Sequence, residues 1–190
     1  TDLGDFVAEF GMHDRYIKEE SKVIRFIKQV IIHPFYRGSK TRWEHDIALL
    51  QLSESLQLNS FIRTICLPNY QQELVHVNEE VIITGWGDTR GTGDFRYLRQ
   101  VSIPIQSTDQ CGLNSTSSHN SVICGGLCNS TTCDSCQGDS GGPMIKQYNN
   151  RWYLAGLISW GYSCAGLGIY TKVSQYSQWI QELIRRGTIK

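Results

Sequence analysis

The sequence predicts an all-β domain, either a sandwich or a barrel, that ends in one amphipathic helix. Short runs rich in β-branched and aromatic residues recur along the chain, and clusters of Gly, Asn, Ser and Pro separate them, as is typical of antiparallel β architectures. The predicted strands cover residues 23–32, 47–52, 81–84, 101–105, 152–160 and 168–173. Apolar residues recur at helical spacing only near the carboxy terminus.

That carboxy-terminal stretch places its apolar side chains at positions i, i+3, i+4, i+7 and i+8. This spacing puts them on a single face of an amphipathic helix, which ends before Gly187. We expect the face to dock on the body of the domain. Its residues are Tyr176, Trp179, Ile180, Leu183 and Ile184.

A polar stretch over residues 69–80 divides the predicted strands into two groups. It follows Cys66-Leu67-Pro68 and precedes a new strand, so it is the best candidate for a connection between two β units. The sequence therefore predicts a first unit over residues 1–68 and a second unit over residues 69–190.

The charge balance excludes several classes of partner. The chain has 190 residues, and its 18 Lys plus Arg balance its 18 Asp plus Glu, which gives a formal net charge of 0. A chain without a strong positive field is a poor candidate for binding nucleic acid or anionic lipid. Its longest apolar runs fall far short of the roughly 20 residues that span a bilayer. We therefore expect neither nucleic acid nor membrane as a partner.

Cysteine usage predicts a secreted, extracellular protein. Six of the seven cysteines lie in the second half of the chain, which is typical of a disulfide framework formed in an oxidising compartment. Two Asn-x-Ser/Thr glycan acceptors, at Asn114 and Asn129, agree with secretion. The chain begins with Thr1 and has no basic-then-apolar leader, so we expect any targeting segment to have been removed or to lie outside it.

The densest chemical signal is the cysteine- and serine-rich segment 128–143. One interpretation is an iron-sulfur electron carrier, because Cys128, Cys133 and Cys136, with Cys164 downstream, have the spacing of plant-type ferredoxins. The glycan acceptor Asn129 inside the supposed ligand loop argues against that cluster, which remains a remote alternative.

A second interpretation of the same segment is the nucleophile elbow of α/β-hydrolases. Gly138-Asp139-Ser140-Gly141-Gly142 satisfies its Gly-x-Ser-x-Gly pattern, but those enzymes place their histidine after the serine. The last histidine here is His119, so no general base follows Ser140. The β-rich pattern also disagrees with that fold.

A third interpretation rests on five blocks that occur in a specific order. They are Asp46-Ile47-Ala48-Leu49-Leu50, Thr84-Gly85-Trp86-Gly87, Gly138-Asp139-Ser140-Gly141-Gly142-Pro143, Ser159-Trp160-Gly161 and Gly168-Ile169-Tyr170-Thr171-Lys172-Val173. Through these blocks the chain resembles the chymotrypsin-like, trypsin-type serine peptidases. The resemblance implies two six-stranded antiparallel β-barrels in one peptidase domain. Residues 1–68 would form an incomplete first barrel, and residues 69–190 the second barrel and the helix.

The resemblance implies the roles of a hydrolytic site. Ser140 would be the nucleophile, Asp46 the carboxylate that orients a histidine base, and the backbone N–H groups of Gly138 and Ser140 the oxyanion hole. Asp134 would lie at the base of a specificity pocket, which implies cleavage after Arg or Lys.

The resemblance also implies the rest of the substrate site and its partners. Gly161 and Gly168 would form the pocket walls, and Ser159, Trp160 and Gly161 would pair with the substrate backbone by β-augmentation. Polypeptide substrates and protein inhibitors are the implied partners. We expect no cofactor and no metal.

Cysteine pairing follows from the same resemblance. It implies disulfides between Cys136 and Cys164 and between Cys111 and Cys124. Cys128 and Cys133 have no counterpart in the family, and we expect a local bridge between them. Cys66 is then left over, and we expect its partner to lie in a missing upstream segment.

Two features of the family are absent from the sequence. The Ala-Ala-His-Cys block with the catalytic histidine does not occur, and His13, His33, His45, His76 and His119 all lie in other contexts. The Ile-Val-Gly-Gly amino terminus, whose ammonium pairs with the residue matching Asp139, is missing too, so we expect Asp139 to lack that buried ammonium partner and the pocket to be zymogen-like.

Two hypotheses follow from these absences. The chain is either a fragment that begins after its catalytic histidine and is inert as given, or a pseudoprotease that acts as a protein-binding module.

Overall fold

The computed structural model describes residues 6–38, 44–88, 92–113, 120–126, 137–161 and 166–187. Nine strands are followed by one α-helix within these residues. The elements are β1 (Val7–Phe10), β2 (Val23–Ile32), β3 (Ala48–Leu52), β4 (Glu80–Gly85), β5 (Arg99–Gln106), β6 (Val122–Gly126), β7 (Pro143–Tyr148), β8 (Arg151–Gly161), β9 (Leu167–Lys172) and α1 (Ser177–Arg185).

The strands form one open sheet and one closed barrel. β1, β2 and β3 pair in that order in a three-stranded sheet, and the barrel closes in the order β4-β5-β6-β9-β8-β7. Every pairing between these strands is antiparallel. The predicted all-β class with a carboxy-terminal helix is confirmed, and the barrel with a second sheet is the arrangement expected of a double barrel of which one half is incomplete.

Six of the nine strands coincide with predicted runs, and β1, β6 and β7 were missed. β6 has the sequence Val-Ile-Cys-Gly-Gly and ends in two glycines, and β7 begins with Pro143, so each contains residues that weaken the local strand signal. Both occupy places in the closed barrel, where pairing on each side supplies the hydrogen bonds. Tertiary context therefore overrides their weak local preference.

The barrel is filled by side chains from its inward-facing positions. In β4, Val81 and Ile83 alternate with more exposed neighbours and are 1% and 3% exposed. Ile103, Met144 and Tyr170 pack in the same buried cluster. Burial of each such side chain contributes about 2 kcal/mol to folding, so the barrel is the main source of stability.

The open sheet leaves apolar side chains uncovered within the described part of the chain. Val7 lies opposite Phe26, and both are about half exposed. Ile24, Ile32 and Leu50 on the same sheet are also 49–57% exposed. Several large apolar side chains this exposed on one sheet are normally covered by another element.

Helix α1 joins the open sheet to the barrel. Tyr176 and Ile180 are buried against Ile47 and Val173, and Trp179 packs against the same cluster. The predicted docking of the apolar face is therefore confirmed for the start of the helix. It is wrong at the far end, since Ile184 is 54% exposed where the chain runs beyond the cluster.

Within the residues that the structure describes, no helix is long and apolar enough to span a membrane.

Candidate active site

Ser140 lies at the exposed tip of a tight turn that precedes β7. The Gly142 N–H donates to the Asp139 carbonyl over 2.8 Å and closes the turn around Ser140 and Gly141. Gly141 has a φ of 81°, which a type II turn requires at this position and which glycine adopts without strain. The turn presents the Ser140 hydroxyl to solvent.

Two backbone hydrogen bonds fix this turn to strand β8. The Gly141 N–H donates to the Ile158 carbonyl over 2.8 Å, and the Ile158 N–H donates to the Gly142 carbonyl over 2.9 Å. The next residue, Ser159, donates its hydroxyl to Asp46 Oδ2 over 2.6 Å. Two neighbouring residues of β8 thus hold the two predicted groups. Ile158 bonds the turn that carries Ser140, and Ser159 bonds Asp46. Ser140 and Asp46 are 94 positions apart in the sequence (140 minus 46).

The Asp46 backbone is held in a turn just before β3. The Ile47 N–H donates to the His45 carbonyl over 2.8 Å, and the Thr171 hydroxyl donates to the Asp46 carbonyl over 2.8 Å. The carboxylate is half-buried. Burial, together with the negative charge of Asp46, raises the pKa of Tyr36 above its ordinary value. Asp46 is therefore held in place by two barrel strands, β8 and β9, and is shielded from full contact with water.

The carboxylate of Asp139 points away from the turn and toward Gly85 and Gly87. The Gly87 N–H donates to Asp139 Oδ1 over 2.8 Å. A Cβ on Gly85 would lie 1.9 Å from Asp139 Oδ1, so the Thr-Gly-Trp-Gly block needs both glycines to make room for the carboxylate. A backbone amide thus contacts the Asp139 carboxylate, whereas the expected lack of an amino-terminal ammonium partner stays a prediction.

Gly138 keeps its backbone close to neighbouring groups. Its φ is 94°, and a Cβ there would lie 3.3 Å from the Gly87 Cα and from a ring carbon of Phe95. A side chain at this position would strain the backbone and crowd the loop that the resemblance assigns to the oxyanion hole.

A cavity of about 890 Å³ opens beside the nucleophile turn. It lies between the first sheet and the barrel and is lined by Ser140, Asp139, Phe10, His13 and Arg63, among others. The volume is large enough for a polypeptide segment or substrate side chains.

The predicted pocket walls lie face to face on two strands. Gly161 of β8 pairs directly with Gly168 of β9. A Cβ on Gly168 would lie 2.8 Å from the Tyr170 hydroxyl, so the position admits only glycine without rearrangement. No side chain therefore projects from these two positions.

Two other predicted substrate-binding residues have additional contacts. The Ser159 hydroxyl bonds to Asp46, a role that the edge-strand interpretation did not include. Trp160 is half-buried and packs against the cluster around Cys111 and Cys124, which form a disulfide. Trp160 is thus partly a packing residue.

Several predicted residues lie outside the described part of the chain, and their assignments stay predictions. These are the pocket aspartate Asp134, the cysteines Cys128, Cys133, Cys136 and Cys164, and the glycan acceptors Asn114 and Asn129.

The described histidines make contacts of other kinds. The imidazoles of His33 and His45 stack with centroids 4.9 Å apart, and His13 lies 5.6 Å from the Tyr97 ring. His76 is exposed. Among described residues, Asp46 Oδ2 accepts from Ser159, and no imidazole hydrogen-bonds to Asp46 or to the Ser140 hydroxyl.

Comparison with known proteins agrees with this geometry. The family model described as Trypsin matches residues 3–180. The chain belongs to the trypsin family of serine peptidases.

Relatives in the family include proteins of vertebrates and an insect. Vitamin K-dependent protein C of Rattus norvegicus is 40% identical over 191 residues, which cover 93% of this chain and 40% of that protein. Coagulation factor IX of Cavia porcellus is 36% identical, with 89% and 61% covered. Phenoloxidase-activating factor 1 of Holotrichia diomphalia is 38% identical, with 84% and 45% covered. The chain thus spans less than two thirds of each.

Two contacts of the predicted site residues were not foreseen. Thr171 and Gly87 each lie in a block that marks the trypsin family. The Thr171 hydroxyl donates to the Asp46 backbone carbonyl, and the Gly87 N–H donates to the Asp139 carboxylate. Their positions in these blocks were the available signal.

Proposed function

We propose that this chain supplies the nucleophile and the orienting carboxylate of an extracellular endopeptidase that cleaves after Arg or Lys. Ser140 attacks the peptide carbonyl, and Asp46 orients and stabilises the histidine that takes the serine proton. The backbone N–H groups of Gly138 and Ser140 stabilise the oxyanion. The observation that carries the proposal is the 2.6 Å bond from Ser159 to Asp46 on the strand that also anchors the Ser140 turn.

The base in this proposal comes from a polypeptide segment outside the 190 residues. The described imidazoles are poor candidates. His33 and His45 are packed among aromatic rings, and His76 is exposed. His13 lines the cavity beside Ser140, but within the described part of the chain its ring lies against Tyr97 and hydrogen-bonds to neither Ser140 nor Asp46. The half-exposed apolar face of the open sheet and the cavity beside Ser140 provide a place for such a segment. Without it, the chain is expected to be nearly inert.

The proposed specificity rests on Asp134 and on the glycine pair at 161 and 168. Asp134 precedes Ser140 by six residues, the spacing of the pocket carboxylate in trypsin-like members. Facing glycines leave room for a long side chain, and a carboxylate at the pocket base pairs with its cationic head.

The test compares the 190-residue chain with a longer protein that carries the Ala-Ala-His-Cys block. We expect the longer protein to hydrolyse Arg- and Lys-terminated amide substrates and the 190-residue chain to be at background. Asp134→Ser in the longer protein should lose the preference for cationic residues while slow hydrolysis continues, because the attacking group is intact. An unchanged preference would refute the pocket assignment.

A pseudoprotease that only binds proteins is the second candidate. It is favoured by one observation, the lack of an imidazole on Asp46 or Ser140 among the described residues. It is supported if the natural full-length protein has another residue in place of the histidine and binds polypeptides without turnover.

We also propose that Cys66 forms a disulfide with a segment upstream of this chain. It is the free cysteine of the described residues, and its backbone is anchored to β8 by hydrogen bonds with Trp152 and Leu154. Peptide mapping of the secreted protein without reduction should find Cys66 cross-linked, and a free thiol there would contradict the assignment.

A further inference from the structure

A cluster of aromatic rings surrounds two histidines next to Asp46. The imidazoles of His33 and His45 are stacked, with an interplanar angle of 12°. The rings of Tyr176 and Trp179 from the α1 region lie edge-on to His33, at centroid distances of 5.2 and 4.9 Å. Neither imidazole has a part in the proposed hydrolysis, yet His45 is the residue directly before Asp46.

Both imidazoles have a hydrogen-bonding neighbour at Nδ1. The Phe35 N–H donates to His33 Nδ1 over 3.4 Å, and the Tyr176 hydroxyl lies 3.2 Å from His45 Nδ1. An imidazolium has no acceptor, so the contact with Phe35 requires a neutral His33 ring.

Burial reinforces the preference of His33 for the neutral form. His33 is 9% exposed, and desolvation, followed by the charge of His45, lowers the pKa of His33 to about 4. Two stacked imidazolium rings would also repel each other. Acidification therefore acts against this packing arrangement rather than strengthening it.

The stack is directly connected to the Asp46 turn. His45 has a φ of 55°, a left-handed conformation that is costly for a residue with a side chain. The His33 N–H donates to the Ile47 carbonyl over 3.0 Å, and the Ile47 N–H donates to the His45 carbonyl. The two histidines thus bracket Asp46 through both backbone and ring contacts, and their packing compensates for the strain.

We propose that the His33–His45 stack positions the Asp46 turn and that acidification from neutral pH raises the population of an open turn, in which His33 is protonated. Both residues are positioning residues, since neither touches the reacting atoms. The consequence for catalysis rests on the proposed function, but the opening of the turn does not.

Other charged groups face the cluster from each element packed on it. Tyr176 stays protonated, because burial raises its pKa to about 12. The carboxylates of Glu44 and Asp46 on the turn would favour a cationic ring, but burial and His45 are the causes that shift the pKa of His33. The described titratable groups around the stack are Tyr36 and Arg37 on the preceding loop, Glu44 and Asp46 on the turn, and Tyr176 at the start of α1.

The sign of the pH effect follows from the His33 pKa. A histidine exposed by opening of the turn has a pKa near 6.5, whereas the closed turn holds it at about 4. The open state therefore takes up the proton first, and the closed state loses stability as the pH falls from about 6.5 toward 4. Between pH 7.5 and 5.5 the opening equilibrium should rise about 10-fold.

The experiment is amide hydrogen exchange at Ile47 in the 190-residue chain. Corrected for intrinsic rates, its protection should fall about 10-fold from pH 7.5 to 5.5. Protection of Ile83 in the barrel should not fall with it, which separates opening of the turn from global unfolding. A pH-independent Ile47 amide, or an equal loss at Ile83, would overturn the proposal.

Variants separate positioning from packing. His33→Asn should reduce the pH effect on Ile47 to less than about 2-fold, because the titrating ring is gone. His45→Asn, which keeps an acceptor for Tyr176, should retain protection at pH 7.5, whereas His45→Ala should lose it. His76→Asn removes an exposed histidine elsewhere and should behave like the unmodified chain.

Ring titration of the unmodified chain gives an answer that needs no variant. The His33 ring carbon resonances should shift with a midpoint near 4, and a midpoint near 6.5 would overturn the proposal. None of these measurements depends on peptide hydrolysis. The proposed role of the stack can therefore fail while the endopeptidase assignment stands, and the endopeptidase assignment can fail while the role of the stack stands.

Discussion

Asp46→Asn is expected to lower kcat by about 10⁴-fold in a protein that also carries the catalytic histidine. The carboxylate accepts the Ser159 hydroxyl at Oδ2 and leaves its other oxygen to accept from an imidazole N–H. An amide would present an N–H to one of these donors and favour the wrong imidazole tautomer. Steady-state hydrolysis of an Arg-terminated amide measures the loss.

Two controls define the origin of that loss. Glu44→Gln neutralises a carboxylate on the same turn and should change kcat less than about 2-fold. The loss of kcat in Asp46→Asn is expected because the Asp46 oxygen is positioned to accept from the imidazole N–H, and not because the turn loses a negative charge. Ser159→Ala removes one donor to Asp46 and should cost about 10-fold. Equal losses for Glu44→Gln and Asp46→Asn would contradict the assigned role.

Gly85→Ala should lower the free energy of unfolding by about 3 kcal/mol. The new Cβ would lie 1.9 Å from Asp139 Oδ1 and 2.9 Å from its Cγ, so the carboxylate must leave the place where Gly87 donates to it. Chemical denaturation monitored by tryptophan fluorescence gives the value.

The carboxylate itself can be removed to test that cause. In an Asp139→Ala background the nearest remaining atom of residue 139 is its Cβ at 3.5 Å, an ordinary contact, so Gly85→Ala should then cost much less. Gly161→Ala, with its nearest contact at 3.3 Å, serves as a matched control and should cost less than about 1 kcal/mol. An unchanged cost in the double variant would mean that the strain lies elsewhere.

The sequence predicted the fold where local composition and pairing agree. The run over residues 23–32 coincides with β2, because it is rich in Val and Ile. The strand of Val122–Gly126 was missed because two of its five residues are glycines, and only its place between β5 and β9 makes it a strand. Barrel closure is a long-range property that no local pattern records.

The site was predicted by resemblance and not by local chemistry. Ser140 and Asp46 come from blocks far apart in the chain, and no spacing rule would have placed them on either side of Ile158 and Ser159. The backbone partner of Asp139 was not foreseen, because backbone amides are invisible to motif matching. The His33–His45 stack was missed for a different reason. It packs against Tyr176 and Trp179, and no sequence motif shows where the helix region that carries them will dock.

The most direct test of the account is covalent labelling by a fluorophosphonate, which reacts with serines that a nearby base activates. In the longer, histidine-containing protein, tandem mass spectrometry should find the label on Ser140, and Asp46→Asn should reduce the labelling rate strongly. Label on another residue, or labelling of Ser140 at an equal rate without Asp46, would contradict a site built from these two groups.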